Sequence, residues 1–129
     1  MKFWVPGPLP GMNEIIEAAK GCGGKGYGYS TMKKRWTHHV AMHALSARLP
    51  KYTRIRLECL WIEPIHENKS QKDFDNGEAA IKFILDGLKQ AKRIPDDKPG
   101  HYRGAKHDHE LGAKPGVWVT IIDASTEAP

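Results

Sequence analysis

The sequence predicts an α+β domain in which a small mixed or mainly antiparallel sheet packs with about two longer helices. Two observations carry this prediction. Apolar residues alternate with period two in 52–63, with 116–123 as a further clear strand, and recur at helical spacing in 31–48 and 78–92. These segments are mixed along the chain and do not form alternating βαβ units. The 129 residues are read as a single domain over 1–129, with a modest core. A chain that is 40% apolar and 27% charged has the composition of an ordinary globular protein.

Taken in order, "KFWV" (2–5) reads as a short strand, which "PGPLPG" cannot continue. Asn13 is placed to cap a short helix, "EIIEAAK". With five glycines in ten residues, "GCGGKGYGYS" (21–30) reads as a loop. Ser30 is the expected cap of a second helix, 31–48, ended by Leu49-Pro50, with Met32, Trp36, Val40, Ala44 and Ala47 as its buried stripe. In 52–63, Ile55, Leu57, Cys59 and Trp61 face one way while Arg54, Arg56 and Glu58 face the other, as in a half-buried strand. Ile81, Ile84, Leu85 and Leu88 mark the core face of a third helix. "IPDDKPGH" ends that helix in a turn, 102–107 reads as a strand, and "GVWVTIID" is the final one.

Several protein classes are disfavoured. No apolar run is long enough to span a bilayer. The opening "MKFWVPGPLPG" interrupts its apolar start with prolines, unlike a signal peptide. Cys22 and Cys59 are far apart and form no CxxC pair, so they read as reduced thiols of a cytosolic protein. The formal net charge is +5, and no acidic residue occurs between Glu17 and Glu58. Lys33, Lys34, Arg35, Arg54 and Arg56 all fall within that basic interval, the electrostatic footprint expected for a polyanionic partner such as nucleic acid.

Against this basic background, "KDFDN" (72–76) places two carboxylates side by side. On extended backbone, residues two apart share a face, so Asp73 and Asp75 converge while Phe74 turns to the core. Convergent carboxylates repel unless protonated or bridged by a cation. Oxygen ligands of this kind suit Mg²⁺ or Mn²⁺. A D-x-D pair by itself is a weak signal, because acidic pairs are common in solvated turns. Asp97 is a third candidate, but a helix of about fifteen residues is about 22 Å long. Asp97 therefore approaches the pair only if the chain folds back at "PDDKPG".

The run "KDFDNGEAAIKFILDGLKQAKRIPDD" resembles the central motif of the RusA family of Holliday junction resolvases, which are phage- and prophage-encoded endonucleases. "PGPLPGMNEII" and "STMKKRW" are similar to the family's Pro-rich opening and the start of its helix, so the resemblance covers most of the chain in order. It implies that Asp73, Asp75 and Asp97 are metal-binding aspartates, that Lys82 is the catalytic lysine, and that Asn76 follows the second aspartate as in the family. The register that aligns Asp86-Gly87-Leu88 and Asp96-Asp97 puts Lys82, rather than Ala79, at the lysine position. Asp97, rather than Asp96, matches the ligand.

The implied activity is Mg²⁺-dependent cleavage of branched DNA by a homodimer in the bacterial cytoplasm, with Mn²⁺ as a substitute metal. A structure-selective flap or fork nuclease and a non-catalytic nucleic-acid-binding module are the alternatives. Phosphodiester hydrolysis needs an activated water and stabilised oxyanions, which a divalent ion and a nearby lysine provide. Lys72, Asn76, Arg54, Arg56, Lys33, Lys34 and Arg35 are the expected DNA contacts, directed at the backbone. His39 and His43 have a zinc-like i, i+4 spacing without HExxH or cysteine partners, and are read as part of the DNA-facing surface. Tyr27 and Tyr29 are either incidental to the loop or placed to stack on unpaired bases.

Overall fold

The computed structural model describes residues 1–10, 12–24, 27–64 and 77–127; for 12, 13, 21–24, 27, 77 and 78 it describes the backbone alone. In chain order the elements are β1 (Lys2–Pro6), α1 (Met12–Gly24), α2 (Tyr27–Ser46), β2 (Ile55–Pro64), α3 (Gly77–Gln90), β3 (Tyr102–Gly112) and β4 (Gly116–Asp123). The fold is α+β, with a four-stranded mixed sheet in the order β1-β4-β2-β3. β4 pairs antiparallel with both β1 and β2, while β2 and β3 are parallel.

The parallel pair departs from the sequence expectation, because β2, α3 and β3 do form a βαβ unit. Parallel neighbours need a crossover of a dozen or more residues. The long polar connection between Pro64 and Tyr102, with α3 inside it, provides one.

One face of the sheet is the core. Phe3 and Val5, then Ile55, Leu57, Cys59 and Trp61, then Val117, Val119 and Ile121 are all buried in a single cluster with α2 and α3. The period-two reading of β2 is borne out, and 116–123 is the final strand as expected. α2 contributes Val40, Ala41 and Ala44 as buried residues, with Met32 and Trp36, and Ala47 just past its end, half-buried at the margin. α3 buries Ala80, Phe83, Ile84, Leu85 and Leu88. Burial pushes the Cys59 thiol up to about 12, so it behaves as a small apolar group rather than a nucleophile. The opposite face carries Trp4 stacked obliquely on Trp118 at 5.2 Å, with Lys2 over the Trp118 ring.

α2 and α3 touch backbone to side chain. A Cβ on Gly87 would lie 2.4 Å from Val40 Cγ1 and 3.1 Å from the Ala41 nitrogen. Glycine in a helix interior costs about 1 kcal/mol relative to alanine. Here its missing methyl is the space into which Val40 packs.

Three local expectations change. The glycine-rich stretch 21–30 is largely helical, since α1 continues to Gly24 and α2 starts at Tyr27. Gly28 explains part of this: a side chain there would strike the Ala18 carbonyl at 2.7 Å, so the glycine permits close helix–helix packing. Ser30 therefore lies inside α2, and Asn13 inside α1, rather than at a cap. β3 runs five residues beyond the expected 107, to Gly112. Its inward positions are His107 and His109, whose polarity hid the alternation. Trp61 Nε1 donates to His107 Nδ1 at 2.9 Å, which gives one of these histidines a structural partner.

Among the described residues, no helix is long and apolar enough to cross a membrane.

Candidate catalytic site on α3

α3 ends where Lys92 takes a left-handed conformation, φ 58°. Arg93 N–H donates to the Leu88 carbonyl and Lys92 N–H to the Lys89 carbonyl, the paired bonds of a Schellman ending. The Arg93 guanidinium then donates to the carbonyls of Ala91 and Leu49, tying the ends of α3 and α2 together. Ile94 is buried at 3% exposure and pins the reversed chain to the core. The Asp97 N–H donates to Asp96 Oδ1 at 2.8 Å.

These contacts return the chain along α3. Asp97 forms an ion pair with Lys82, whose position is eight residues, or about 12 Å of helix, before the end of α3. The fold-back on which the site depends is therefore present, as far as Lys82. Asp73, Asp75, Asn76 and Lys72 lie outside the described residues; α3 begins directly after Asn76.

Lys82 Nζ also lies 3.3 Å from Asp86 Oδ1, one turn on. Lys89 reaches Asp97 at 3.5 Å, Asp96 at 3.7 Å and Asp86 at 3.9 Å. Lys33 of α2 approaches Asp86 Oδ2 at 3.8 Å. With Lys98 at 3.9 Å from Asp96, four lysines and three aspartates among the described residues thus form one network. Lys82 is 49% exposed at its side chain and Asp86 only 10%. A carboxylate this buried requires several cations around it.

Charge follows geometry. The Lys82 ammonium holds the Asp97 carboxyl well below the usual carboxylate range, against the opposing effect of burial, with Lys89 adding to it. Asp97 in return raises Lys82 above the ordinary lysine value. Lys82 is consequently a permanent cation near neutral pH, suited to stabilising an oxyanion and unsuited to being a general base. Asp97 offers an ionised oxygen, the donor chemistry that suits Mg²⁺ or Mn²⁺. Among the described residues, no group of three or more His, Cys, Asp or Glu is arranged to hold a metal.

Of the expected DNA contacts, Lys33 joins this network and Lys34 lines the adjoining groove. Arg35 lies over the Trp36 ring, at 5.5 Å, in a different groove with Pro6 and His39. Arg56 alternates with the buried Ile55 and Leu57, and so projects from the sheet face away from α3. It pairs with Glu127 at 2.8 Å, and Arg54 donates to the Gly100 and Glu127 carbonyls. These two arginines are not brought together with Lys82 and Asp97.

Sequence reasoning passed over Asp86 and Lys89 as site residues. Their signal was the spacing Lys82-Asp86-Lys89, i, i+4 and then i+3, which places all three on one helix face.

The histidines of α2 do other work. His39 Nε2 hydrogen-bonds the Pro6 carbonyl at 2.6 Å, joining α2 to β1, and His43 packs edge-on against His39 at 4.7 Å. Burial, then the neighbouring His39, lowers His43 below its ordinary 6.5. The unfolded chain therefore takes up this proton first, so its contribution to stability is lost as pH falls through 6.5 toward the folded value. A His43→Phe variant should show a smaller fall in melting temperature between pH 7 and pH 5 than the parent; an identical fall would remove His43 from the account.

No protein-family model matches the chain, and no curated protein matches it.

Proposed function

We propose that the chain is a RusA-type, Mg²⁺-dependent endonuclease that resolves four-way DNA junctions. The observation that carries the reading is the fold-back of Asp97 onto Lys82. It sets an ionised carboxylate from the returning chain beside a permanent cation on the helix that directly follows "KDFDN".

Asp73, Asp75 and Asp97 are the residues that would hold the metal, and the ionised oxygens of Asp97 fit a hard divalent cation. When bound, Mg²⁺ or Mn²⁺ supplies an activated water and neutralises charge on the phosphoryl oxygens. The chain's own contribution is positional. Lys82 presents its charge where the oxyanion develops, and Asp86, one turn away, restricts the lysine's rotamers. Lys33 and Lys34 extend the positive surface along the DNA backbone, with Lys72 and Asn76 as further proposed contacts; Arg35, Arg54 and Arg56, which lie away from Lys82, are not part of this track. Paired nicks in two strands call for two identical sites, which a two-fold homodimer delivers.

The test is incubation with a synthetic four-way junction and Mg²⁺, alongside flap and fork substrates. We expect paired nicks in the junction, and Lys82→Ala should slow them about 10²–10³-fold. Cleavage of flaps but not junctions would give a structure-selective nuclease of the other kind. A gel shift without any cut would leave a binding module. Unchanged cleavage by Lys82→Ala would show that another residue holds the lysine position.

A further inference from the structure

Beside the Lys82–Asp97 pair, the first half of α2 and the last two turns of α3 enclose a groove of about 550 Å³. Lys33, Lys34 and Lys89 line it, with Ser30, Thr37 and Gln90 between them and Asp86 as its one anion. The lining itself carries three cations and one carboxylate, with Lys89 also reaching Asp97 and Asp96 just outside it at 3.5 and 3.7 Å, and the remaining lining groups include hydrogen-bond donors.

Two polar atoms there lack hydrogen-bond partners among the described residues, although both are buried: Thr37 Oγ1 and Asp86 Oδ2. Asp86 is 9% exposed, so its carboxylate faces this groove from within the protein. It lies within 4 Å of three ammonium groups, those of Lys33, Lys82 and Lys89. Lys82 stands at the proposed scissile position, while Lys33 and Lys89 stand in the groove.

We propose that the groove is a second phosphate subsite, taking a backbone phosphate of the same DNA strand that presents the scissile phosphate to Lys82. The inference rests on the nuclease reading and extends it. Lys33, Lys34 and Lys89 are the cations of the subsite, and the Thr37 hydroxyl is its buried donor. Asp86 is a positioning residue, which holds lysines of both subsites at once. The ammonium groups of Lys82 and Lys89 lie 3.3 and 3.9 Å from the same Asp86 oxygen, so they are at most about 7 Å apart, which is about two nucleotides at about 3.4 Å of rise each. The subsite therefore holds a phosphate one or two nucleotides from the cut.

Binding of a synthetic four-way junction without divalent metal, followed by anisotropy from about 50 to about 200 mM salt, tests this. Lys33→Gln, Lys34→Gln and Lys89→Gln should each reduce the slope of log affinity against log salt by about one. Thr37→Val should weaken binding about three- to tenfold while leaving that slope unchanged. Lys106→Gln, on the exposed face of β3, is the control and should alter neither. Circular dichroism checks that each variant folds; Lys34, exposed and outside the ion-pair network, is the variant least able to disturb the fold. Wild-type protein that binds and cuts, with parental slopes in all three lysine variants, overturns the subsite alone. Wild-type protein that does not bind the junction at all overturns the nuclease reading and the subsite together.

Discussion

An Asp97→Asn protein should fold, bind four-way junctions, and cut them about 10²–10³-fold more slowly than the parent. Asparagine keeps the shape of the side chain and removes its charge. Two things change together: a proposed metal oxygen becomes a weak neutral ligand, and Lys82 loses the carboxylate that raises it. Lys82 keeps Asp86 at 3.3 Å, so its ammonium stays near the same place. The basic surface of α2 is untouched, which is why binding should persist. Cleavage assays with Mg²⁺ and metal-free gel shifts on the same preparation decide the matter. Cleavage at the parental rate would exclude Asp97 from the site. A melting temperature lowered by many degrees would assign it a structural role in the turn after α3.

Replacing Gly87 by valine should destabilise the protein by about 3 kcal/mol, the upper end of the usual cost of overpacking. That corresponds to a drop of roughly 10 °C in melting temperature for a domain of this size. The first added carbon already meets Val40 Cγ1 at 2.4 Å and Val40 Cβ at 2.5 Å. Neither helix can yield easily, because Phe83, Ile84 and Leu88 anchor α3 to the sheet and Ala41 and Ala44 anchor α2. Gly87→Ala is the sharper comparison, since alanine gains about 1 kcal/mol of helix propensity over glycine. If thermal melts show Gly87→Ala to be more stable than the parent, the helices spread at little cost and the contact is not tight.

How much of this was legible beforehand depends on which physical signal each residue carries. β2 was readable because Ile55, Leu57, Cys59 and Trp61 alternate with charged neighbours, and only a half-buried strand needs that pattern. The core face of α3 was readable for the same kind of reason. β3 was only half readable, since its inward residues at 107 and 109 are histidines. The helical run through the glycines at 21–24 was not readable at all, because close packing of α2 against Ala18 overrides local propensity. At the site, Lys82 and Asp97 were nominated by motif and the structure sets them together. Asp86 was quoted only as part of the Asp86-Gly87-Leu88 element, although its burial among lysines makes it the hub of the network. Sequence spacing shows that residues share a helix face; it does not show that a second helix, through Lys33, covers that face.

The contact of Gly87 with Val40 also has a consequence for the lysines. Lys33 belongs to α2, while Lys82 and Lys89 belong to α3, so the width of the positive track between them depends on the gap between the two helices. That gap is set where a hydrogen replaces a methyl group, and it leaves little slack. Position 87 thus acts as a gauge block. It holds the two rows of cations at one separation, a template of fixed pitch for the sugar–phosphate chain proposed to bind there.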